Sequence, residues 1–367
     1  MRALTVSPGI AGSARVEEVP EPPWSDGPVL ARTLALGICG TDREILEGYG
    51  AAPSGEQRLI LGHESLAEVE SAPAGCGLAR GDLVVGIVRR PDPQPCPACA
   101  VGEWDMCRNG RYTERGIKER HGYGSERFRI EPQFAVRIDP TLGTLGVLLE
   151  PASILAKAWD HTERIGRRAR VWEPRVLLVT GVGPIGLLAA LMGAQRGLDV
   201  HVLGRSRGGP KEQLVRDLGG TYHVDAGILD HLAPDIVMEC SGAPSVIQAC
   251  LGATAPAGIT CLTGVTRPGK LSDVDIGRFN GAMVLDNDCV FGTVNANRRH
   301  YDMAARSLQR ADKSWLRRLI TRRVPLERAA EALDHRTEDI KVIIDFAAAG
   351  SARGDRALSE TGIEHGA

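Results

Sequence analysis

A glycine-rich stretch in the middle of the chain constrains its fold more than any other feature. Residues 176–179 are uncharged and aliphatic, which is typical of a strand buried on both faces. Three glycines follow at G-x-G-x-x-G spacing, and the pattern then lengthens into a helix. The free N–H groups at the start of such a helix face phosphate oxygens. We therefore predict a dinucleotide-binding turn that contains Gly181, Gly183, Pro184, Ile185 and Gly186.

A hydropathy scan would flag the same stretch as a membrane span, because residues 176–195 carry no charge. Four glycines and a proline interrupt it, which argues against one continuous apolar helix. A second strand, Asp199-Val-His-Val-Leu at residues 199–203, is predicted where a dinucleotide-binding fold needs one. We therefore predict a nucleotide site here and no membrane partner.

Length and composition limit the class of protein. The chain has 367 residues, which is room for about two domains, and its 43% hydrophobic and 25% charged residues are ordinary for a globular protein. The net charge of −2 gives no reason to expect nucleic acid as a partner. The N-terminal residues lack the apolar core of a signal peptide, so we expect a cytoplasmic location. In that compartment, the nine cysteines favour metal ligands or buried thiols over disulfides.

The pattern of apolar runs changes along the chain and predicts an α/β protein of two domains. Residues 1–150 are rich in Gly and Pro and carry short alternating runs, which is typical of a mostly antiparallel β domain. Residues 151–294 alternate strands and helices, which predicts a doubly wound parallel sheet. A closing strand at 341–346 is expected to pair back into the first domain, and residues 347–367 to form a frayed tail. The other predicted elements are strands at 176–180, 199–203, 235–239, 259–263 and 289–294, and helices at 297–311 and 325–334.

Three short motifs place metal-ligating side chains in the chain. Cys39 lies in Gly-Ile-Cys-Gly-Thr-Asp, His63 lies in Gly-His-Glu, and Glu150 lies in Leu-Glu-Pro. A thiolate, an imidazole and a carboxylate form the kind of set that leaves one position of a tetrahedral Zn²⁺ open for chemistry. Each residue alone would be unremarkable, but together with a dinucleotide motif they indicate a zinc-assisted redox reaction.

On these residues the chain resembles the zinc-dependent medium-chain dehydrogenases, over roughly residues 1–346. Three segments, 112–118, 261–264 and 291–297, are similar to the microbial glucose 1-dehydrogenase branch of that family. The resemblance implies a GroES-like catalytic domain, residues 1–150 completed by about 295–346, and a Rossmann NAD(P)-binding domain at 151–294. It also implies a homodimer or a homotetramer.

The resemblance further implies roles for individual residues. Catalytic zinc would be held by Cys39, His63 and Glu150, with Glu64 as an alternating or second-sphere ligand. Thr41 would fill the proton-relay position, and Asp42 would orient the His63 ring, as ligating histidines generally require. The substrate would be contacted by Glu114, Glu150 and Asn295, and the cofactor also by Gly264 and Asn295.

The chain departs from the family pattern in its cysteine-rich segment. Cys96 and Cys99 have the expected two-residue gap, but position 102 is glycine and Cys107 follows at an irregular distance. Closed structural zinc sites need four ligands, so Asp105 or Glu103 would have to supply the fourth. The alternative is a vestigial lobe with free thiols.

The end of the second predicted strand indicates which cofactor is used. NAD-binding members end this strand in a carboxylate that accepts the ribose hydroxyls. Here the chain has Gly204 instead, followed by Arg205, Ser206 and Arg207, with Lys211 nearby. Two guanidinium groups and a hydroxyl suit a 2′-phosphate, so we predict NADP, with NAD possible because nothing rejects it. The alternative is an ordinary basic turn.

The resulting prediction is an NADP-dependent zinc enzyme that oxidises an aldose at C1 to the aldonolactone. One alternative is a zinc dehydrogenase of a secondary alcohol on a cyclitol, amino sugar or polyol, because such enzymes share the ligand set. An alternative of another class is a zinc-less quinone-reductase-like or nucleotide-sensing protein, because a fold does not fix a function. Metal analysis separates that class from the enzyme.

Overall fold

The computed structural model describes residues 1–266 and 275–346, so the predicted tail, 347–367, lies outside the described residues. The chain forms two compact units. Unit 1 contains Met1–Glu150 together with the described residues from Ile320 onward, and unit 2 contains Pro151–Leu319.

Strands occur in both units and are numbered along the chain. Unit 1 begins with β1 (Arg2–Val6), β2 (Arg15–Glu18), β3 (Val29–Ile38), β4 (Leu59–Ile60), β5 (Glu64–Ser71), β6 (Leu83–Gly86), β7 (Arg89–Arg90), β8 (Thr113–Arg115), β9 (Glu119–Arg120), β10 (Arg127–Ile130) and β11 (Ala135–Arg137). Unit 2 contains β12 (Val176–Thr180), β13 (Asp199–Leu203), β14 (Thr221–His223), β15 (Ile236–Glu239), β16 (Ile259–Leu262) and β17 (Cys289–Gly292). The chain returns to unit 1 with β18 (Ile320–Pro325) and β19 (Lys341–Asp345).

The helices are fewer and most belong to unit 2. The α-helices are α1 (Gly40–Leu46), α2 (Pro97–Ala100), α3 (Leu149–Gly166), α4 (Pro184–Ala194), α5 (Pro210–Asp217), α6 (Pro244–Cys250), α7 (Ile276–Leu285), α8 (Arg298–Arg310) and α9 (Lys313–Arg317). Short 3₁₀ helices occupy Trp24–Asp26, Trp104–Met106, Pro132–Phe134, Pro140–Leu148, Ala226–Asp230 and Leu326–Leu333. The last of these lies where an α-helix was predicted at 325–334, and the backbone is kinked at Arg328.

A seven-stranded sheet forms the core of unit 1. Its strands follow the order β11-β6-β5-β3-β19-β18, and β10 pairs with the first four residues of β3, 29–32. The predicted closing strand is β19, which pairs antiparallel with β3, as expected, with Val342 opposite Ile38. The adjacent strand β18 was not predicted, because its residues include two adjacent arginines and no run of apolar side chains.

Unit 2 is built on a six-stranded parallel sheet of order β14-β13-β12-β15-β16-β17. All five predicted strands of this sheet are present, within two residues of their predicted bounds. The short strand β14 was missed because three residues carry too little pattern to identify a strand. The uncharged stretch 176–195 forms strand β12 and helix α4. Across residues 1–266 and 275–346, the structure contains no helix long and apolar enough to span a bilayer.

The chain leaves unit 2 later than the sequence predicted. The return was expected at about residue 295, but α8 and α9 belong to unit 2, and unit 1 resumes at Ile320. The physical reason lies in buried contacts of these helices. The indole of Trp315 donates to the Leu214 carbonyl at 2.9 Å, and the Ser307 hydroxyl donates to Gln195 at 2.6 Å. Both partners belong to helices beside the parallel sheet.

Candidate active site

Four side chains from the predicted motifs converge in unit 1. Cys39 precedes α1, His63 and Glu64 lie at the start of β5, and Glu150 lies in the first turn of α3. Together with Asp42, their ligand atoms fall into two overlapping groups, each within 4.8 Å: one with Cys39, Asp42 and His63, the other with His63, Glu64 and Glu150. Both groups contain His63, so each of the other predicted zinc ligands, Cys39 and Glu150, has its ligand atom within 4.8 Å of a nitrogen of this imidazole.

Asp42 holds the first turn of α1 and faces the imidazole. Its Oδ2 accepts the backbone N–H of Cys39 at 2.9 Å, which closes the start of the helix. Its Oδ1 lies 3.4 Å from Nδ1 of His63, and neither atom has another hydrogen-bond partner among the described residues. The other ring nitrogen, Nε2, lies 3.1 Å from the Cys39 sulfur. The ring is therefore oriented with Nδ1 toward a carboxylate and Nε2 toward the thiol.

Neighbouring groups and burial act in opposite directions on the pKa values of this cluster. Burial alone would lower the pKa of His63, but its interactions with Cys39 and Asp42 raise that pKa well above its usual value. Burial also raises the pKa of Glu150 to about 7, with a contribution from the nearby Glu64. The Asp42 carboxyl behaves in the opposite way, because His63 outweighs burial and lowers its pKa.

Glu64 is held by a residue that the sequence analysis missed. The Lys341 ammonium, at the start of β19, donates to both Glu64 oxygens at 2.6 and 2.5 Å. The side chains are 0% and 2% exposed, so this is a fully buried ion pair. A charged residue opening the apolar run 341–346 was the one sequence signal for it. The pair places Glu64 beside the ligand set with both of its oxygens already bound to a cation.

The donor set fits a zinc ion. Thiolate, imidazole and carboxylate are zinc ligands, and the geometry leaves Nε2 of His63 for a metal while Nδ1 faces Asp42. Lys341 compensates Glu64, whereas Cys39, Asp42 and Glu150 add further buried or half-buried acidic groups around one imidazole. A dication coordinated by Cys39, His63 and Glu150 would lie among these acidic groups, where a positive charge is favourable.

Two other predicted residues of unit 1 have distinct surroundings. Thr41 lies half-buried in the first turn of α1, next to Asp42. Glu114 is only 6% exposed, and its Oε1 accepts from Arg89 at 3.0 and 3.1 Å. Glu114 is therefore not a solvated surface acid, because β8 pairs with β7 and brings the buried Arg89 opposite it. The neighbouring Gly116 lies against the backbone of Gly62, which precedes His63.

The cysteine-rich segment brings its three thiols together without a fourth ligand. The sulfurs of Cys96, Cys99 and Cys107 lie within 4.8 Å of one another, and no other described His, Asp or Glu joins the group. Asp105 and Glu103, the predicted fourth ligands, are therefore not placed with the thiols. The backbone N–H of Arg108 lies 3.4 Å from the Cys96 sulfur, and such hydrogen bonds lower the pKa of that thiol to about 6. The residues present do not complete a closed zinc site.

In unit 2, the predicted cofactor residues lie at the carboxyl end of the parallel sheet. Gly181 follows β12, Gly183 is the N-cap of α4, and Pro184, Ile185 and Gly186 form its first turn. The unpaired N–H groups of that turn are the kind that bind phosphate. The structure therefore has the strand, turn and helix that the motif requires.

Three further backbone segments end at the same edge. Gly264 follows β16 and donates its N–H to the Glu239 carbonyl at 3.1 Å. Asn295 follows β17 with a positive φ of 65°. At the end of β15, which lies between β12 and β16, the fully buried carboxylate of Glu239 accepts from the Thr180 hydroxyl at 3.1 Å and from the N–H of Ser241 at 2.8 Å. Sequence reasoning predicted the β15 strand but missed this carboxylate, which holds the loops beside Gly181 in place.

The basic turn after β13 is exposed. Arg205, Ser206 and Arg207 lie between Gly204 and α5, and neither guanidinium forms a hydrogen bond or ion pair with any residue the structure describes. Lys211 lies one residue into α5 and is partly buried. The turn thus offers two arginine side chains that are available to an anion.

Comparison with known proteins agrees with this architecture. Residues 25–140 match the alcohol dehydrogenase GroES-like domain, and residues 143–346 match the glucose dehydrogenase C-terminus family. The chain is 38% identical to glucose 1-dehydrogenase of Methanocella arvoryzae over 360 residues, 95% of this chain and 100% of that protein. It is 40% identical to glucose 1-dehydrogenase of Thermoproteus tenax over 358 residues, 94% of this chain and 99% of that protein.

A solved structure is similar throughout. Glucose dehydrogenase of Haloferax mediterranei, in complex with NADP, Zn and gluconolactone, superimposes with a TM-score of 0.87 at 34% identity, covering 95% of this chain and 99% of that one. A GroES-like domain with a Rossmann sheet defines the medium-chain dehydrogenase class. Within it, the chain belongs to the glucose dehydrogenase family. The predicted fold class and family are confirmed.

Proposed function

We propose that this chain is an NADP-dependent zinc dehydrogenase that oxidises an aldose at C1 and releases the aldonolactone. The observation that carries this proposal is the buried cluster around His63, which joins a thiol, an imidazole and carboxylates in unit 1. The relatives named glucose 1-dehydrogenase, and the neighbour solved with NADP, Zn and gluconolactone, support the substrate and the cofactor.

Within this proposal, Cys39, His63 and Glu150 would hold the zinc. When bound, the metal acts as a Lewis acid that makes the substrate hydroxyl easier to deprotonate. Asp42 keeps the imidazole in the orientation that leaves Nε2 available, because its Oδ1 faces Nδ1. Lys341 keeps Glu64 beside these ligands without an uncompensated negative charge.

Other side chains of this chain would bind the sugar and move its proton. Thr41 is proposed to receive the hydroxyl proton and pass it outward. Glu114 and Asn295 are each proposed to bind a sugar hydroxyl, because a carboxylate accepts hydrogen bonds and an amide both accepts and donates. Since Arg89 already engages one oxygen of Glu114, its carboxylate is pre-oriented before the sugar arrives.

A substrate and cofactor panel tests the proposal. Purified enzyme is assayed with aldoses, polyols and cyclitols, each with NADP and with NAD. We expect the highest kcat/KM for an aldose with NADP, and the aldonolactone as the first product. A higher kcat/KM for a polyol or cyclitol would support the secondary-alcohol alternative. Turnover of no alcohol by zinc-loaded protein would reject both. The expected cytoplasmic location and the homodimer or homotetramer stay predictions.

A further inference from the structure

Tyr222 links strand β14 to the turn that carries the two available arginines. β13 and β14 pair in parallel, with Val202 opposite Tyr222. The Tyr222 hydroxyl donates to the backbone carbonyl of Ser206 at 2.9 Å. One residue further on, the backbone carbonyl of His223 accepts the N–H of Gly204 at 2.9 Å. Two hydrogen bonds therefore attach the start of this turn to β14.

The same phenol occupies the space beside Gly204. A Cβ built on Gly204 would overlap the Tyr222 hydroxyl and lie 2.6 Å from its Cζ. Any side chain at position 204 therefore forces the phenol away from its hydrogen bond with Ser206. Position 204 is where a dinucleotide-binding fold places the acid that accepts ribose hydroxyls and selects NAD. The phenol thus fills the space that such an acid would need, and its hydroxyl holds the turn at Ser206.

The far end of the turn is also fixed. Glu212, in the first turn of α5, accepts the N–H of Gly208 at 2.6 Å and pairs with Arg216. The backbone is consequently held at Ser206 by the phenol and at Gly208 by a carboxylate. Arg207 lies between these two points and Arg205 precedes them, so their side chains start from a defined backbone. Pre-organised arginines lose less entropy when they bind a phosphate.

We propose that Tyr222 is a specificity-determining positioning residue: it favours NADP over NAD by holding the 205–207 turn, and it fills the space that an NAD-selecting side chain at position 204 would need. The inference rests on the proposed function, because it takes NADP to be the cofactor. It gives Tyr222 no contact with the reacting atoms. Its effect is confined to the 2′-phosphate, since the rest of the dinucleotide binds at the turn after β12.

The first experiment isolates the phosphate. The zinc-loaded full chain is titrated calorimetrically with adenosine 2′,5′-bisphosphate and with adenosine 5′-monophosphate. Tyr222→Phe removes the hydroxyl but keeps the ring, so we expect about three- to tenfold weaker binding of the bisphosphate, the usual effect of one lost hydrogen bond. Binding of the monophosphate should not change. Thr221→Val, at the exposed neighbouring position of the same strand, is the matched control and should leave both affinities unchanged.

The second experiment tests the steric part with NADP and NAD. Gly204→Asp alone should weaken NADP without strengthening NAD, because the phenol is displaced and the turn that holds the 2′-phosphate is released. Combined with Tyr222→Ala, the same aspartate gains room to accept the ribose hydroxyls. The double variant should therefore shift the NAD-to-NADP affinity ratio by about tenfold or more toward NAD.

The possible results of these two experiments separate the inference about Tyr222 from the proposed function. Equal weakening of both adenosine nucleotides by Tyr222→Phe, or no weakening of either, would overturn the inference. A full preference for NAD in the Gly204→Asp single variant would overturn its steric part. If the wild type binds the two adenosine nucleotides equally well, the proposed NADP preference falls together with the inference. If the wild type favours the bisphosphate and the variants keep this preference, the inference about Tyr222 is rejected, but the proposed NADP preference is not.

Discussion

The Lys341 ammonium and the Glu64 carboxylate form a buried ion pair that crosses the central strand of the unit 1 sheet. Glu64 lies on β5 and Lys341 on β19, and both strands pair with β3. Between them, β3 carries Gly37, where an added Cβ would overlap the Glu64 carboxylate. The glycine thus leaves the space that the pair occupies, immediately beside His63.

Breaking this pair on one side should be costly. Lys341→Met leaves Glu64 buried without its cation, so we expect a loss of about 3–5 kcal/mol in the free energy of unfolding. Urea unfolding of zinc-free protein measures the effect without a contribution from metal binding. Arg323→Met is the control, because Arg323 and Asp345 form a more exposed pair at 3.8 Å on the neighbouring strands, and its loss should cost under about 1 kcal/mol. The double variant Lys341→Met/Glu64→Gln should regain part of the lost stability; no recovery would mean that the lysine acts through other contacts.

The zinc ligands should be separable from their neighbour Glu64. Cys39→Ser and His63→Ala should each lose the bound zinc and the activity together, because three protein ligands leave no spare. Glu64→Gln should retain the metal and lose less activity, since Lys341 rather than zinc holds this side chain in the structure. Elemental analysis and initial rates on the same preparations measure both. Retention of zinc by the His63→Ala protein would contradict the proposed ligand set.

The three clustered thiols lead to a prediction about metal content. Without a fourth described ligand, Cys96, Cys99 and Cys107 should not hold a structural zinc, so we expect one zinc per chain in the purified protein. Cys107→Ser should leave the zinc content unchanged. Two zinc ions per chain, with loss of one in this variant, would show that the segment binds metal with a ligand outside this set.

Glu114 should affect the sugar more than the cofactor. Glu114→Gln keeps the size of the side chain beside Arg89 but weakens its acceptor, so we expect a several-fold higher KM for aldoses and an unchanged KM for NADP. A glutamine is preferable to an alanine, because alanine would leave the buried arginine unpaired and destabilise the fold. Glu119→Gln, the exposed residue paired with it on β9, is the control. An unchanged KM for aldoses would mean that Glu114 has only a structural role.

Arg205 should distinguish the two cofactors. A charge-assisted hydrogen bond contributes about 1.5–3 kcal/mol, so Arg205→Ala should weaken NADP binding by about tenfold or more and leave NAD nearly unchanged. Titration of each cofactor gives both dissociation constants. Arg310→Ala, an exposed arginine on α8, controls for the loss of one positive charge from unit 2. Equal weakening of both cofactors in Arg205→Ala would place the 2′-phosphate elsewhere.

Much of the parallel sheet could be predicted because its strands are buried on both faces. Residues 176–179 form an uncharged aliphatic run, residues 199–203 follow where the fold needs a second strand, and the structure has β12 and β13 at these positions. The domain return could not be placed, since the amphipathic helix α8 would suit either unit and only contacts such as Trp315 with Leu214 decide between them. Short strands such as β14 carry too few residues to show a period.

In the candidate site, too, local patterns could be predicted from the sequence and contacts between distant residues could not. Local motifs predicted Cys39, His63 and Glu150, because each of these residues lies in a short motif of consecutive residues. Lys341, Glu239 and Tyr222 were missed, because their roles depend on partners 277, 59 and 16 residues away in the chain. A fixed interval in the sequence cannot reveal such pairs, whereas sheet pairing brings them together.

The measurement that tests the central claim most directly is aldose oxidation by zinc-free and zinc-restored enzyme. The full-length protein is stripped with a chelator, dialysed and assayed with D-glucose and NADP, followed by the absorbance of NADPH. The account predicts no turnover without metal, recovery with one equivalent of zinc, and a lower kcat/KM when NAD replaces NADP. Full turnover by the metal-free protein, or restored enzyme that oxidises no aldose, would contradict it.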